Sequence, residues 1–173
     1  MADVNLIVDG KKVTAPAGSL LIEACKSVGI EVPSFCYYPG LSLQGACRMC
    51  VVKIEKMPKL QTACTTVVTE GMIVATDSDE VRQARKAMVE LLLGNHPLDC
   101  PVCDAGGECE LQDMAFSYGA PESKYTGPRT TAKNSSGLRW CISTDRAAFC
   151  ATAAYAFAAR AWTSGRSACR TAA

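Results

Sequence analysis

Eight residues of this chain have the types and spacings that grip metal. Cys47-x2-Cys50 forms a tight pair, with ten residues separating it from Cys36 upstream and thirteen from Cys64 downstream. A second set runs His96-x3-Cys100-x2-Cys103-x5-Cys109, with Gly106-Gly107 inside its last gap. An iron–sulfur cluster needs thiolates arriving from several directions around a compact anionic core, so its ligands come from one tight loop plus more distant points. The first set has that form. Zinc also accepts four thiolates, but more often as two CxxC knuckles, so one pair with two singletons favours iron–sulfur while leaving zinc open. In the second set, three cysteines leave a four-iron cubane one ligand short, and His96 is the only histidine in the chain. On its own His96 reads as a surface residue after a helix C-terminus, where an imidazolium is mildly favourable, and only beside three cysteines with no fourth partner does the ligand reading draw level. Pro97 restricts it to extended backbone.

The elements that must position these ligands are legible in outline. Val4, Leu6 and Val8 alternate with polar neighbours and Asp9-Gly10 supplies a turn with positive φ, which predicts a hairpin over residues 3–15. Ser19 is the expected N-cap of a helix over Leu20–Val28, with Leu21, Ala24, Cys25 and Val28 on one face and Gly29 as the stop. Cys25 falls on that apolar stripe and reads as a packing residue, since a buried free cysteine behaves as a small hydrophobe. Pro33 to Cys47 is punctuated by Gly, Pro and Ser, hence a long ligand loop. Gly40 and Gly45 should let backbone N–H groups turn toward the sulfurs, and Arg48 and Lys53 should offset part of their charge. Strands are expected at Val51–Glu55, Thr65–Thr69 and Met72–Thr76. Asp77-Ser78-Asp79 then caps an amphipathic helix over Glu80–Leu93, with Val81, Ala84, Met88, Leu91 and Leu92 inward, Arg82, Arg85 and Lys86 outward, and Gly94-Asn95 ending it. The stretch from His96 to Cys109 has little apolar content, so a metal cluster is expected to hold it.

Bulk features narrow the chemistry. Eleven cysteines in 173 residues suggest either a secreted disulfide scaffold or an intracellular metal site. The opening residues show no basic n-region, apolar h-region or small-residue cleavage site, which argues against export and so for metal. No run of 18 apolar residues is present, so membrane contact is expected only through partners. There is no Ser/His/Asp set, no Cys–His nucleophile arrangement, no Gly-rich phosphate loop and no basic stripe with aromatics for nucleic acid. The expected role is electron transfer with no bond-making chemistry on this chain.

The segments PSFCYYPGLSLQGACRMCVVKIE and TACTTVV, followed by KAMVELLLGNHPLDCPVCDAGGECELQD, resemble the N-terminal region of the large iron–sulfur subunit of bacterial NADH-quinone oxidoreductase, respiratory complex I. The resemblance covers residues 1 to about 126. It implies an α+β chain: a β-grasp [2Fe–2S] ferredoxin-like domain over 1–78, then a small helical [4Fe–4S] domain over 79–126 with one histidine and three cysteines as ligands. Cys36, Cys47, Cys50 and Cys64 would hold the two-iron cluster, and His96, Cys100, Cys103 and Cys109 the four-iron cluster. Implied partners are other subunits of the peripheral arm, including the one that binds flavin and NADH, at the cytoplasmic face of the inner membrane. Electrons would pass from the NADH/FMN site toward quinone. A diaphorase-type subunit of an NAD-reducing hydrogenase or formate dehydrogenase shares such a front end, and a zinc-bound structural module is the rival of another class.

The resemblance stops near residue 127. Residues 1–126 hold 11 Lys and Arg against 16 Asp and Glu, a net of −5, whereas 127–173 hold 7 against 1, a net of +6. The second stretch has 13 alanines and its cysteines, Cys141, Cys150 and Cys169, are widely spaced. It reads as an atypical Ala/Arg-rich tail, either an out-of-frame extension or a basic interaction segment. Family members continue there with a further [4Fe–4S] segment on the route between the two sites, so an incomplete relay is expected.

Overall fold

The computed structural model describes residues 3–94, 96, 98–103, 105–119 and 127. The expectations for the tail over 127–173, and the backbone restriction at Pro97, lie outside the described residues but for Gly127. Two compact units are present, divided between Thr76 and Asp77.

The first unit is a five-stranded mixed sheet of order β2-β1-β5-β3-β4, with one helix on it. Strands β1 (Asp3–Val8) and β2 (Lys11–Pro16) form the predicted hairpin. Asp9 (φ 48°) and Gly10 (φ 81°) are both left-handed, the requirement of the type I′ turn that suits a twisted ribbon. β5 (Ile73–Ala75) runs parallel to β1, and β3 (Val51–Ile54) is antiparallel to both β5 and β4 (Gln61–Thr62). This order, with helix α1 (Leu21–Ser27) as crossover, is the β-grasp arrangement. Leu21, Ala24 and Cys25 from α1 share one core with Leu6, Val8, Val13, Val52, Ile54 and Val74. Cys25 is fully buried there as a packing residue, and burial, followed by the Asp9 charge, pushes its thiol up to about 11.

Two local expectations are corrected. Ser19 does not cap α1; Leu20 occupies the cap position with no side-chain cap bond. The first helical N–H groups, of Leu21 and Ile22, instead donate to the carbonyls of Thr66 and Ala63, so tertiary backbone replaces the serine hydroxyl. Nor is Thr65–Thr69 a strand. The Thr62 carbonyl accepts the N–H groups of both Thr65 and Thr66 and the Thr66 hydroxyl at 2.9 Å, which curls the chain into a turn. Threonine hydroxyls offer such local bonds in competition with a sheet ladder. The strand lies earlier, at Gln61–Thr62, and Val67 keeps only a single bridge to Leu20.

The second unit contains α2 (Asp79–Gly94), a 3-10 turn at Cys100–Val102 and α3 (Glu110–Ser117). Ser78 supplies the expected cap, its Oγ accepting from the Val81 N–H at 3.4 Å. The inward face is rotated from expectation. Val81, Arg85, Val89 and Leu93 are buried, a strict i, i+4 stripe, whereas Leu91 is 70% exposed. Arg85, expected outward, is 3% exposed. No helix among the described residues is long and apolar enough to cross a membrane.

Candidate metal centres

The long loop after α1 brings Cys36 beside Cys47, Sγ to Sγ 3.2 Å, and the turn after β4 brings Cys64 beside Cys50, also 3.2 Å. Cys36 and Cys64 also influence one another electrostatically, which links the two pairs. Cys36, Cys50 and Cys64 are buried and Cys47 is half-buried. Among the described residues no three of His, Cys, Asp or Glu are disposed to share a single metal ion. Two sulfur pairs suit a different object, a cluster in which each of two irons takes two thiolates.

Backbone dipoles converge on these sulfurs. The Phe35 N–H donates to Cys47 Sγ and the Cys47 N–H to Cys36 Sγ, both at 3.4 Å. The Ala46 N–H also serves Cys36, and the Met49 N–H serves Cys47. Such donors stabilise anionic sulfur, the role expected of this loop. Of the expected glycines, Gly45 acts one step removed. Gly45 (φ 58°) sets up the turn that aims the next two N–H groups, and a Cβ there would press to 3.1 Å from Thr65 Cγ2. Arg48 is exposed and enters the site through its own backbone, at φ 56°, a strain of order 1 kcal/mol for a non-glycine residue. Lys53 sits on β3 opposite Ala75.

The thiols polarise one another. Hydrogen bonding with Cys47, then with Cys64, holds Cys36 far below the ordinary thiol range, and hydrogen bonding with Cys64 lowers Cys50 to about 7 against the penalty of burial. Their partners Cys47 and Cys64 are raised, first by the bond each shares with Cys36. One support has no signal in the sequence: the Tyr37 hydroxyl donates to Glu23 Oε1 on α1, tying the residue after Cys36 to the helix. Burial and then Glu23 raise that phenol to about 12.

In the second unit, His96, Cys100, Cys103 and Cys109 line one cleft with Asp99, Gly106 and Gln112. His96 follows the C-terminus of α2, its N–H still reaching the Leu93 carbonyl at 3.4 Å, and burial lowers its imidazole. Cys100 begins the 3-10 turn and Cys109 occupies the N-cap position of α3. The loop is drawn tight by the Cys103 N–H on the Cys100 carbonyl and the Gly106 N–H on the Cys103 carbonyl. A Cβ on Gly106 would lie 2.7 Å and 3.0 Å from those same two carbonyl oxygens, so only glycine fits. Gln112, which spacing does not single out, accepts the Gly107 N–H on Oε1 at 3.2 Å and pins the far side of the loop to α3. Three cysteines and one imidazole around one cleft, with their loop fixed by backbone, match the donors a four-iron cluster requires.

Residues 1–79 match the family described as 2Fe-2S iron-sulfur cluster binding domain, and residues 85–124 match the NADH-ubiquinone oxidoreductase-G iron-sulfur binding region. The chain is 47% identical over 125 residues to the NADH-ubiquinone oxidoreductase 78 kDa subunit, mitochondrial, of Candida albicans, covering 72% of this chain and 17% of that protein. It is 47% identical over 122 residues to the NADH-ubiquinone oxidoreductase 75 kDa subunit of Reclinomonas americana, covering 70% and 18%. The chain thus spans less than a fifth of the length of these two curated relatives. A crystal structure of an NAD+-reducing [NiFe]-hydrogenase in the H2-reduced state is similar at TM-score 0.67 and 26% identity, over 75% of this chain and 56% of that one. The two cofactors are accordingly a [2Fe–2S] and a [4Fe–4S] cluster. Over its N-terminal region, residues 1 to about 124, the chain belongs to the family of the large iron–sulfur subunit of NADH-quinone oxidoreductase.

Proposed function

We propose that this chain carries electrons within an NADH-quinone oxidoreductase, from the site where NADH and flavin react toward quinone. In this reading Cys36, Cys47, Cys50 and Cys64 hold the [2Fe–2S] cluster, and His96, Cys100, Cys103 and Cys109 the [4Fe–4S] cluster. The observation that supports it most is the pairing of Cys36 with Cys47 and of Cys50 with Cys64, each at 3.2 Å, on a β-grasp sheet. When bound, the clusters supply one-electron redox chemistry. The chain's own residues supply thiolates, the N–H donors of Phe35, Ala46, Cys47 and Met49, and a buried wall that keeps water off Cys36, Cys50 and Cys64.

The partners in this reading are the other subunits of the peripheral arm, including the flavin- and NADH-binding one, with membrane association indirect at the cytoplasmic face. The likeness to a hydrogenase supports a diaphorase-type role less, at 26% identity against 44 to 48% for the oxidoreductase relatives. The test is to mix the cluster-loaded full chain with NADH and a flavin-bearing NADH-oxidising protein and follow bleaching of the two-iron absorption. Bleaching that needs the flavoprotein is expected; none beyond NADH alone contradicts the role.

A further inference from the structure

Arg85 is a charged side chain with 3% exposure on the buried stripe of α2, and burying a guanidinium is costly unless it is held. Its Nη1 donates to the Tyr118 hydroxyl at 3.0 Å, and its guanidinium carbon lies 5.7 Å from the centroid of the same ring. Tyr118 is the residue that closes α3. The pair therefore joins the middle of one helix to the end of the other.

The register of this contact matters. From Arg85 to Leu93 is eight residues, and from Glu110 to Tyr118 is eight, about 12 Å of helix in each case. Leu93 and Leu111 line one cavity of about 360 Å3 together with His96, Cys100 and Cys109. That cavity opens at the end that carries His96 and Cys109 and runs along α3 as far as Gly119, and the Arg85–Tyr118 contact ties the middle of α2 to the C-terminal end of α3. A directional bond to a buried charge fixes register in a way that apolar packing does not.

We infer that Arg85 and Tyr118 are positioning residues for the [4Fe–4S] cluster, clamping α2 against α3 so that His96 and Cys109 are presented at one separation. The inference rests on the ligand assignment above. A residue that orients ligands from behind typically changes metal retention about 10-fold or more when removed.

The test uses the full chain loaded anaerobically with iron and sulfide, and the two-iron signal, from the other unit, is its internal control. Tyr118→Phe keeps the ring and removes the hydroxyl; Arg85→Gln removes the charge, and Arg85→Lys restores it without the planar fork. In Tyr118→Phe and Arg85→Gln the four-iron electron paramagnetic resonance line shape should change, and its loss to an iron chelator should run about 10-fold faster. Arg85→Lys should recover part of the retention, while the two-iron signal and far-ultraviolet circular dichroism stay as in the unsubstituted chain. If Arg85→Gln fails to fold, Tyr118→Phe alone decides. A four-iron signal present in the unsubstituted chain and unchanged in line shape and chelation rate in Tyr118→Phe overturns the clamp alone. No four-iron signal in the unsubstituted chain overturns the ligand assignment and the clamp with it.

Discussion

The α-carbon of Gly106 is packed so closely over Cys100 that an added methyl would stand 2.7 Å from the Cys100 carbonyl oxygen. That oxygen is already engaged by the Cys103 N–H, so it has no free direction of retreat. Gly106→Ala should therefore open the Cys100–Cys109 loop and abolish the four-iron signal while leaving the two-iron signal at full intensity. Spin quantitation of both signals in one dithionite-reduced sample checks this.

Removing one sulfur of a pair should be asymmetric between clusters. Cys64→Ser takes away the partner of Cys50 and should cost the two-iron cluster, with loss of about 2 of about 6 bound irons, the four-iron signal being retained. Iron and sulfide analysis of the desalted protein measures it.

Cys25 gives a pH dependence. Its thiol is raised from 9.0 to about 11, first by burial and then by Asp9. A folded value above the unfolded one means that the native state holds the proton more tightly. The stabilisation is then complete below pH 9 and is lost as pH rises toward about 11. Cys25→Ala should flatten that alkaline limb in denaturant titrations of the apo chain. In the folded protein at pH 8, buried Cys25 should also resist iodoacetamide while exposed Cys100, once stripped of iron, reacts.

The helix-on-sheet packing of the first unit is the support beneath the two-iron loop. Leu21 is fully buried where α1 meets the sheet, and Leu21→Ala should cost about 2 to 5 kcal/mol. Chemical denaturation followed by the visible circular dichroism of the cluster should show an earlier midpoint with the same slope.

Cys36, Cys47, Cys50 and Cys64, which the structure gathers, could be singled out by residue type and spacing, whereas His96 needed the family resemblance; the hairpin could be read because Asp9-Gly10 has few other uses. The errors came where tertiary partners outvote local preference. Ser19 looks like a cap, but the carbonyls of Ala63 and Thr66, more than 40 residues away, take its place. Thr65–Thr69 is rich in β-branched residues, yet the Thr62 carbonyl gathers it into a turn. Arg85 shares an i, i+4 stripe with Val81, Val89 and Leu93, and only the stripe, not its charge, pointed inward. The pairing of Tyr118 with it spans 33 residues and leaves no local signature.

Two different iron–sulfur clusters on this one chain should be visible side by side. Low-temperature electron paramagnetic resonance of the anaerobically reconstituted, reduced full chain, with metal analysis of the same sample, tests it most directly. About six irons per chain and two distinct signals are expected, one from a two-iron and one from a four-iron cluster. Stoichiometric zinc with no signal, or a single signal that survives substitution of all of Cys100, Cys103 and Cys109 by serine, would contradict it.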